Sequence, residues 1–284
     1  MNKVILTSES ACDLGEEHLT RLGVPTIPYH IHLDGSDYLD GIDLTAEDIF
    51  RVYREKHVLP QTGAVNVQDF IEFFRPFVEQ GYEVVHIGLG SAISCSHQNA
   101  MLAAQSLPGV YPVDSRNLST GVGTMVQYAR EMIDRGMSGA EVKAACDELR
   151  TRVHGSFVVD TLEFLAAGGR CSALAAFGAN LLKLHPCIEV DTQTGALGVG
   201  KKYRGQMSSV IPQYFRDVVS RFDNVETDFI FISHAGCDPR DVERAKEAVL
   251  AVRPYQKIYV TLTGCTISTH CGPGCIGCFV VTKP

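Results

Sequence analysis

The segment from Val84 to Ala104 constrains this chain more than any other. Val84-Val85-His86-Ile87 reads as a buried strand. It leads through Gly88, Gly90 and small hydroxyl residues into Ser96-His97-Gln98-Asn99-Ala100, a pattern that continues only as a helix. A strand, a polar loop and a helix start leave unpaired backbone N–H groups aimed at whatever anion lies there. Ser94 and the N–H groups after it are the first candidates to hold a carboxylate or phosphate.

The same alternation runs through the chain. Strands are expected at Lys3–Leu6, Val110–Val113, Phe157–Val159, Cys187–Val190, Phe229–Ser233, Lys257–Thr261 and Cys275–Val281. Helices are expected near Gly15–Leu22, from Thr45 to about Lys56, along the Phe70/Phe73/Phe74/Phe77 stripe, and over Thr120–Arg135, Ala173–Leu182, Gln206–Phe222 and Asp238–Val252. Thr45 with Asp48, and Ser138 with Glu141, have capping-box spacing; the second starts a helix expected to reach about Val153. Asp34-Gly35 marks a hairpin between Pro25–Leu33 and Tyr38, and Asp191–Gly195 another into Leu197–Val199. Two further loops, Ser8–Asp13 and Leu59–Ala64, are placed to meet a ligand, and Ser268–Gly274 reads as loop. The fold class is therefore α/β, in two domains. Residues 1–153 form a mostly parallel sheet with helices on both faces, and residues 154–284 a mixed sheet with helices.

A length of 284 residues suits two cores better than one. The formal charge of −8, without a Lys/Arg cluster, argues against nucleic acid as a partner. No apolar run approaches the ~18 residues that span a bilayer, and the first residues lack the long apolar stretch of a signal peptide. The expected location is the cytoplasm, where the ten cysteines stay reduced; Cys146 and Cys187 read as small core residues.

Short motifs match by chance in many chains. Gly88-Leu-Gly90 lacks the third glycine of a dinucleotide fingerprint, and Gly195–Lys202 has Lys202 where a P-loop needs Ser or Thr. No Gly-x-Ser-x-Gly or His-Glu-x-x-His is present. No cofactor or metal is expected. One reading from another class remains: a hydrolase pairing Ser94 with His270, or a metal or iron–sulfur enzyme using Cys271, Cys275 and Cys278.

Several longer motifs stand in an order that resembles the DegV family of bacterial fatty-acid-binding proteins, over nearly the whole length. Ser8-Glu9-Ser10-Ala11-Cys12-Asp13-Leu14 is similar to its opening Thr-Asp-Ser-x-x-Asp-Leu, with glutamate for aspartate. Tyr38-x-Asp40-Gly41, Pro60-x-Thr62, Phe157-Val-Val-Asp160-Thr161-Leu-Glu163, Gly168-Gly169-Arg170, Lys202-x-Arg204-Gly205 and His270-x-Gly272-Pro273-Gly274 follow. The opening segment matches with departures at Gly90, Cys95, Ser96, His97 and Asn99. The resemblance implies a carrier rather than an enzyme. A long-chain fatty acid such as palmitate would lie between the domains, its carboxylate on Thr62 and Ser94. Cys95, the His270 loop and Arg170 would stand near that head group. The resemblance also implies a partner, a separate fatty acid kinase that converts the presented acid to an acyl phosphate.

Overall fold

The computed structural model describes residues 3–171 and 184–284. The helix expected over Ala173–Leu182 lies outside the described residues. In chain order the first half runs β1 (Lys3–Glu9), α1 (Glu16–Leu22), β2 (Thr26–Ile27), β3 (His30–Leu33), β4 (Ser36–Leu39), α2 (Ala46–Lys56), β5 (Gln61–Gly63), α3 (Val67–Glu79), β6 (Tyr82–Gly88), α4 (Ser96–Ala104), β7 (Val110–Asp114), α5 (Thr120–Asp134) and α6 (Gly139–Leu149). The second half runs β8 (Val153–Val158), α7 (Glu163–Gly168), β9 (Leu184–Val190), β10 (Leu197–Arg204), α8 (Met207–Ser220), β11 (Phe229–His234), α9 (Pro239–Leu250), β12 (Lys257–Leu262), α10 (Cys265–Cys271) and β13 (Ile276–Val281).

The fold is α/β. One sheet, ordered β2-β1-β6-β7, is parallel throughout. Its central strand β6 is buried from Val84 to Gly88, as a strand covered on both faces requires. A second, mixed sheet is ordered β10-β9-β8-β13-β11-β12, with β11 and β12 parallel and the other neighbours antiparallel. A small antiparallel sheet, β4-β3-β5, adjoins them. Its hairpin turns at Asp34 and Gly35, both with positive φ, the twist that a two-residue hairpin demands. Both expected capping boxes are formed, at Thr45/Asp48 and Ser138/Glu141.

Helix α5 stands between the two large sheets, touching β1 and β6 on one side and β8, β11 and β13 on the other. Its residues Thr120 to Val126 are all buried, the pattern of a helix with no solvent face. Gly121 and Gly123 lie roughly 200° apart around it, so each thins a different side. A Cβ on Gly121 would stand 2.6 Å from Phe279 Cδ1 of β13; one on Gly123 would stand 2.8 Å from Cys12 O and 2.6 Å from Leu14 Cδ2. The glycines let both layers close on the helix.

Three expectations change. The helix begun at Ser138 stops at Leu149; Arg150–Arg152 form a 3-10 turn, and Val153 starts β8, paired with Val281. β-Branched Val153 gains more from that buried ladder than from another helical turn. Leu59–Ala64 contains a strand, β5, which sets Thr62 opposite Ile31 of β3. The Ser268–Gly274 segment is not all loop: helix α10 carries Ser268 to Cys271, held by contacts distant in sequence that are described below.

Gly123→Ala should destabilise the protein by about 1–3 kcal/mol through overpacking against the Cys12 carbonyl. That exceeds the up to ~1 kcal/mol alanine gains in helix propensity. Urea unfolding would measure it.

Candidate functional site

At the ends of β6, β8 and α10 the chain encloses a cavity of about 600 Å³. Thr62, Ser94, Cys95, Arg170 and His270 all line it, so the structure brings every expected site residue together. One end is rimmed by the exposed Ala92, Cys95, Gln98 and Arg170, and the interior by the buried Leu118, Phe157, Leu165 and Cys271. Such a cavity is polar at its mouth and apolar in depth.

The Ser94 side is built on a buried carboxylate. Glu9 ends β1 with no exposure, and its Oε2 accepts the Leu89 N–H at 2.8 Å and the Tyr29 hydroxyl at 3.3 Å, while Oε1 accepts from Ser96 Oγ. Gly88 makes this possible, because a Cβ there would lie 2.9 Å from Glu9 Oε1. Donors from three elements satisfy a charge that would otherwise be costly to bury. Tyr29 in turn shares a 3.0 Å hydrogen bond with Ser94 Oγ, and its own hydroxyl is held well above the ordinary tyrosine range by burial and the Glu9 charge. The start of α4 is partly used by the protein itself: Ser96 N–H donates to Ser94 Oγ at 3.2 Å. Because the single Tyr29 proton goes to Glu9, Ser94 Oγ–H donates to Tyr29 Oη, and a ligand would receive that hydrogen in exchange for the Tyr29 bond.

The opposite wall is set by β5 and α10. Thr62 Oγ1 and His270 Nε2 share a hydrogen bond of 2.9 Å across 208 residues of sequence. Burial, with the Arg170 charge adding, pushes the His270 pKa down to about 4, so the ring is neutral and carries one proton. Its Nδ1 is buried with no hydrogen-bond partner among the described residues and faces Gly168, where a Cβ would stand 2.2 Å away. An orphaned acceptor is tolerated better than an orphaned N–H. The proton therefore belongs on Nε2, which donates to Thr62 and leaves the Thr62 hydroxyl hydrogen free to point into the cavity. Arg170 is exposed at the rim, its Nη1 donating to Gly168 O at 2.5 Å.

Ser94 and His270 are bonded to Tyr29 and Thr62 respectively, each in a separate network. Cys278 packs with Val158 and Tyr214 on one face of the mixed sheet, whereas Cys271 and Cys275 belong to the cluster with Leu118 and Phe157. The cysteine spacing does not become a convergent set, because Cys278 sits on a strand whose successive side chains alternate faces. Among the described residues no helix is long and apolar enough to cross a membrane.

Sequence reasoning missed Glu9 and Tyr29 as parts of the site. An acidic residue ending an apolar strand was the available signal for Glu9; Tyr29, between Pro28 and His30, carried none.

The family described as "Uncharacterised protein, DegV family" matches residues 3–283. A DegV domain-containing protein of Clostridium perfringens is 30% identical, covering 98% of this chain and 97% of its own length. Of solved structures, "Fatty Acid Binding of a DegV family Protein from Thermus thermophilus" is 29% identical with a TM-score of 0.88, covering 99% of this chain and 100% of that one. A stearic acid-binding protein from Eubacterium ventriosum is 25% identical with a TM-score of 0.85, covering 99% and 98%.

The unfolded chain, with an ordinary histidine near 6.5, takes up a proton before the folded protein protonates His270 at about 4. This contribution to stability is complete above pH 6.5 and is lost as pH falls from 6.5 to 4. Replacing His270 by Asn should flatten that part of the curve, read from urea midpoints measured across the window.

Proposed function

The chain belongs to the DegV family, and from that premise we propose that it binds a long-chain fatty acid, such as palmitate, in the cavity lined by Thr62, Ser94 and His270. The observation that carries the reading is the polarity of that cavity: the hydroxyls of Thr62 and Ser94 near an exposed rim, with the Thr62 hydrogen free, and apolar walls at depth. The relatives described as binding fatty acid and stearic acid support the choice of ligand.

Thr62 and Ser94 each donate to the carboxylate, while Arg170 and Cys95 stand beside the head group at the rim. Each buried methylene contributes about 0.8 kcal/mol, so a chain of more than ten gives on the order of 10 kcal/mol gross. One charge-assisted hydrogen bond at the head gives roughly 1.5–3. The tail supplies affinity and the head sets register. Hydroxyl donors, in place of a buried bidentate arginine, leave a carboxylate oxygen available at the rim.

On this reading the protein is a carrier and not an enzyme. Acting in the cytoplasm, it presents the carboxylate to a separate fatty acid kinase that makes the acyl phosphate. The chain divides near Val153 into a first part, 1–153, holding the head-group hydroxyls, and a second, 154–284, covering the acyl chain. The four- and three-stranded sheets come from the first part and the six-stranded sheet from the second, which supports the division.

Protein purified, denatured and extracted should release a long-chain fatty acid to mass spectrometry. Thr62→Val and Ser94→Ala should each weaken labelled palmitate binding about tenfold. Empty protein that takes up no palmitate would sink the reading.

A further inference from the structure

Two buried carboxylates outside the cavity lining have no part in the reading above. Asp13 follows the short turn Ser10–Cys12 and Asp40 follows β4; they are 4% and 3% exposed. Both turn onto the start of α10. Asp13 Oδ1 accepts the Gly264 N–H at 2.8 Å, and Asp40 Oδ1 accepts the Cys265 N–H at 2.7 Å. Asp40 Oδ2 accepts the Thr266 N–H at 3.2 Å, the Thr266 hydroxyl at 2.7 Å and the Ser10 hydroxyl at 2.9 Å. Gly264 lies between the two acids, where a Cβ would be 3.1 Å from Asp40 Oδ1 and 3.3 Å from Asp13 Oδ1.

Helix α10 cannot sustain itself. It is seven residues long and consists of Cys, Thr, Ile, Ser, Thr, His and Cys, none of them a strong helix former. Its own N-cap, Gly264, offers no side-chain oxygen. The donors at its first turn are satisfied from the other half of the chain, and the helix starts where those acceptors stand. Burial pushes the Asp13 carboxyl up to about 8, with the Asp40 charge adding. Thr266 and His270 are four residues apart, hence on one face, and both line the cavity.

We propose that Asp40 is a positioning residue for the head-group end of the cavity. By anchoring the first turn of α10 it holds His270 Nε2 in bonding distance of Thr62, and so keeps the Thr62 hydroxyl aimed at a bound carboxylate. Asp40 touches no ligand and acts only through the helix. The inference rests on the fatty-acid reading of the cavity.

A merely structural role and a positioning role separate on the head group. Asp40→Asn turns an amide NH₂ toward several donors and loosens the first turn. Palmitate affinity should fall about tenfold while hexadecanol, the same chain with an uncharged head, stays within about twofold. Gly264→Ala, whose Cβ would press on Asp40 Oδ1 at 3.1 Å and on Asp13 Oδ1 at 3.3 Å without changing charge, should act in the same direction and carries the test if Asp40→Asn does not fold. Equal losses for both ligands, or no loss for palmitate, would overturn the proposal. Wild-type protein that binds neither ligand overturns the fatty-acid reading instead. Positioning is then decided by the histidine ring ¹⁵N resonances, which must shift at His270 in Asp40→Asn and stay put at His86; an unmoved His270 signal refutes it.

Discussion

The structure depends on a helix whose first two turns have no outside. Because α5 is covered by the parallel sheet on one side and the mixed sheet on the other, neither sheet has a complete core without it. Two sheets can share one helix only if the helix is narrow where they press hardest, and Gly121 and Gly123 supply that narrowness on different sides. The residue that leads into the helix, Leu118, is also a wall of the cavity, so the packing that joins the sheets fixes the depth of the site. Core and site are consequences of one close approach.

Buried acids organise the rest. Glu9 gathers Leu89, Tyr29 and Ser96 around the Ser94 side, and Asp40 gathers Cys265, Thr266 and Ser10 around the start of the helix that carries His270. Neither acid lines the cavity, and each is surrounded by donors. An anionic ligand would be repelled by a carboxylate facing it, and both acids stand outside the cavity lining with donor hydrogens turned toward them.

Much of this was legible in the sequence where local chemistry decides it. Thr45 with Asp48 and Asp34-Gly35 specify a helix start and a turn within four residues, and the structure forms both. The run Val84–Ile87 before two glycines specifies a buried strand entering a loop. Helix α10 was not legible, because Cys265–Cys271 is helical only through acceptors at Asp13 and Asp40, 251 and 225 residues away in sequence. Thr62 was expected in a loop, and its strand geometry comes from pairing with Ile31, again a contact that no window of local sequence contains. The site residues were found through motifs, whereas Glu9 and Tyr29, which orient them, act through space.

The order of the mixed sheet has a bearing on how the molecule comes to be. β13 follows every other strand of its sheet in the chain, yet it occupies an interior place, antiparallel to β8 and β11 and buried along its whole length. During synthesis β8 emerges long before the strand that must lie beside it, and β11 must wait on the same partner. Helix α10, delivered just ahead of β13, reaches its acceptors at Asp13 and Asp40 equally late. Closing loops of such length is slow compared with forming local hairpins and helices. The Thr62–His270 end of the cavity is therefore among the last parts to assemble, and a nascent chain lacks that wall until its final strand has joined the sheet.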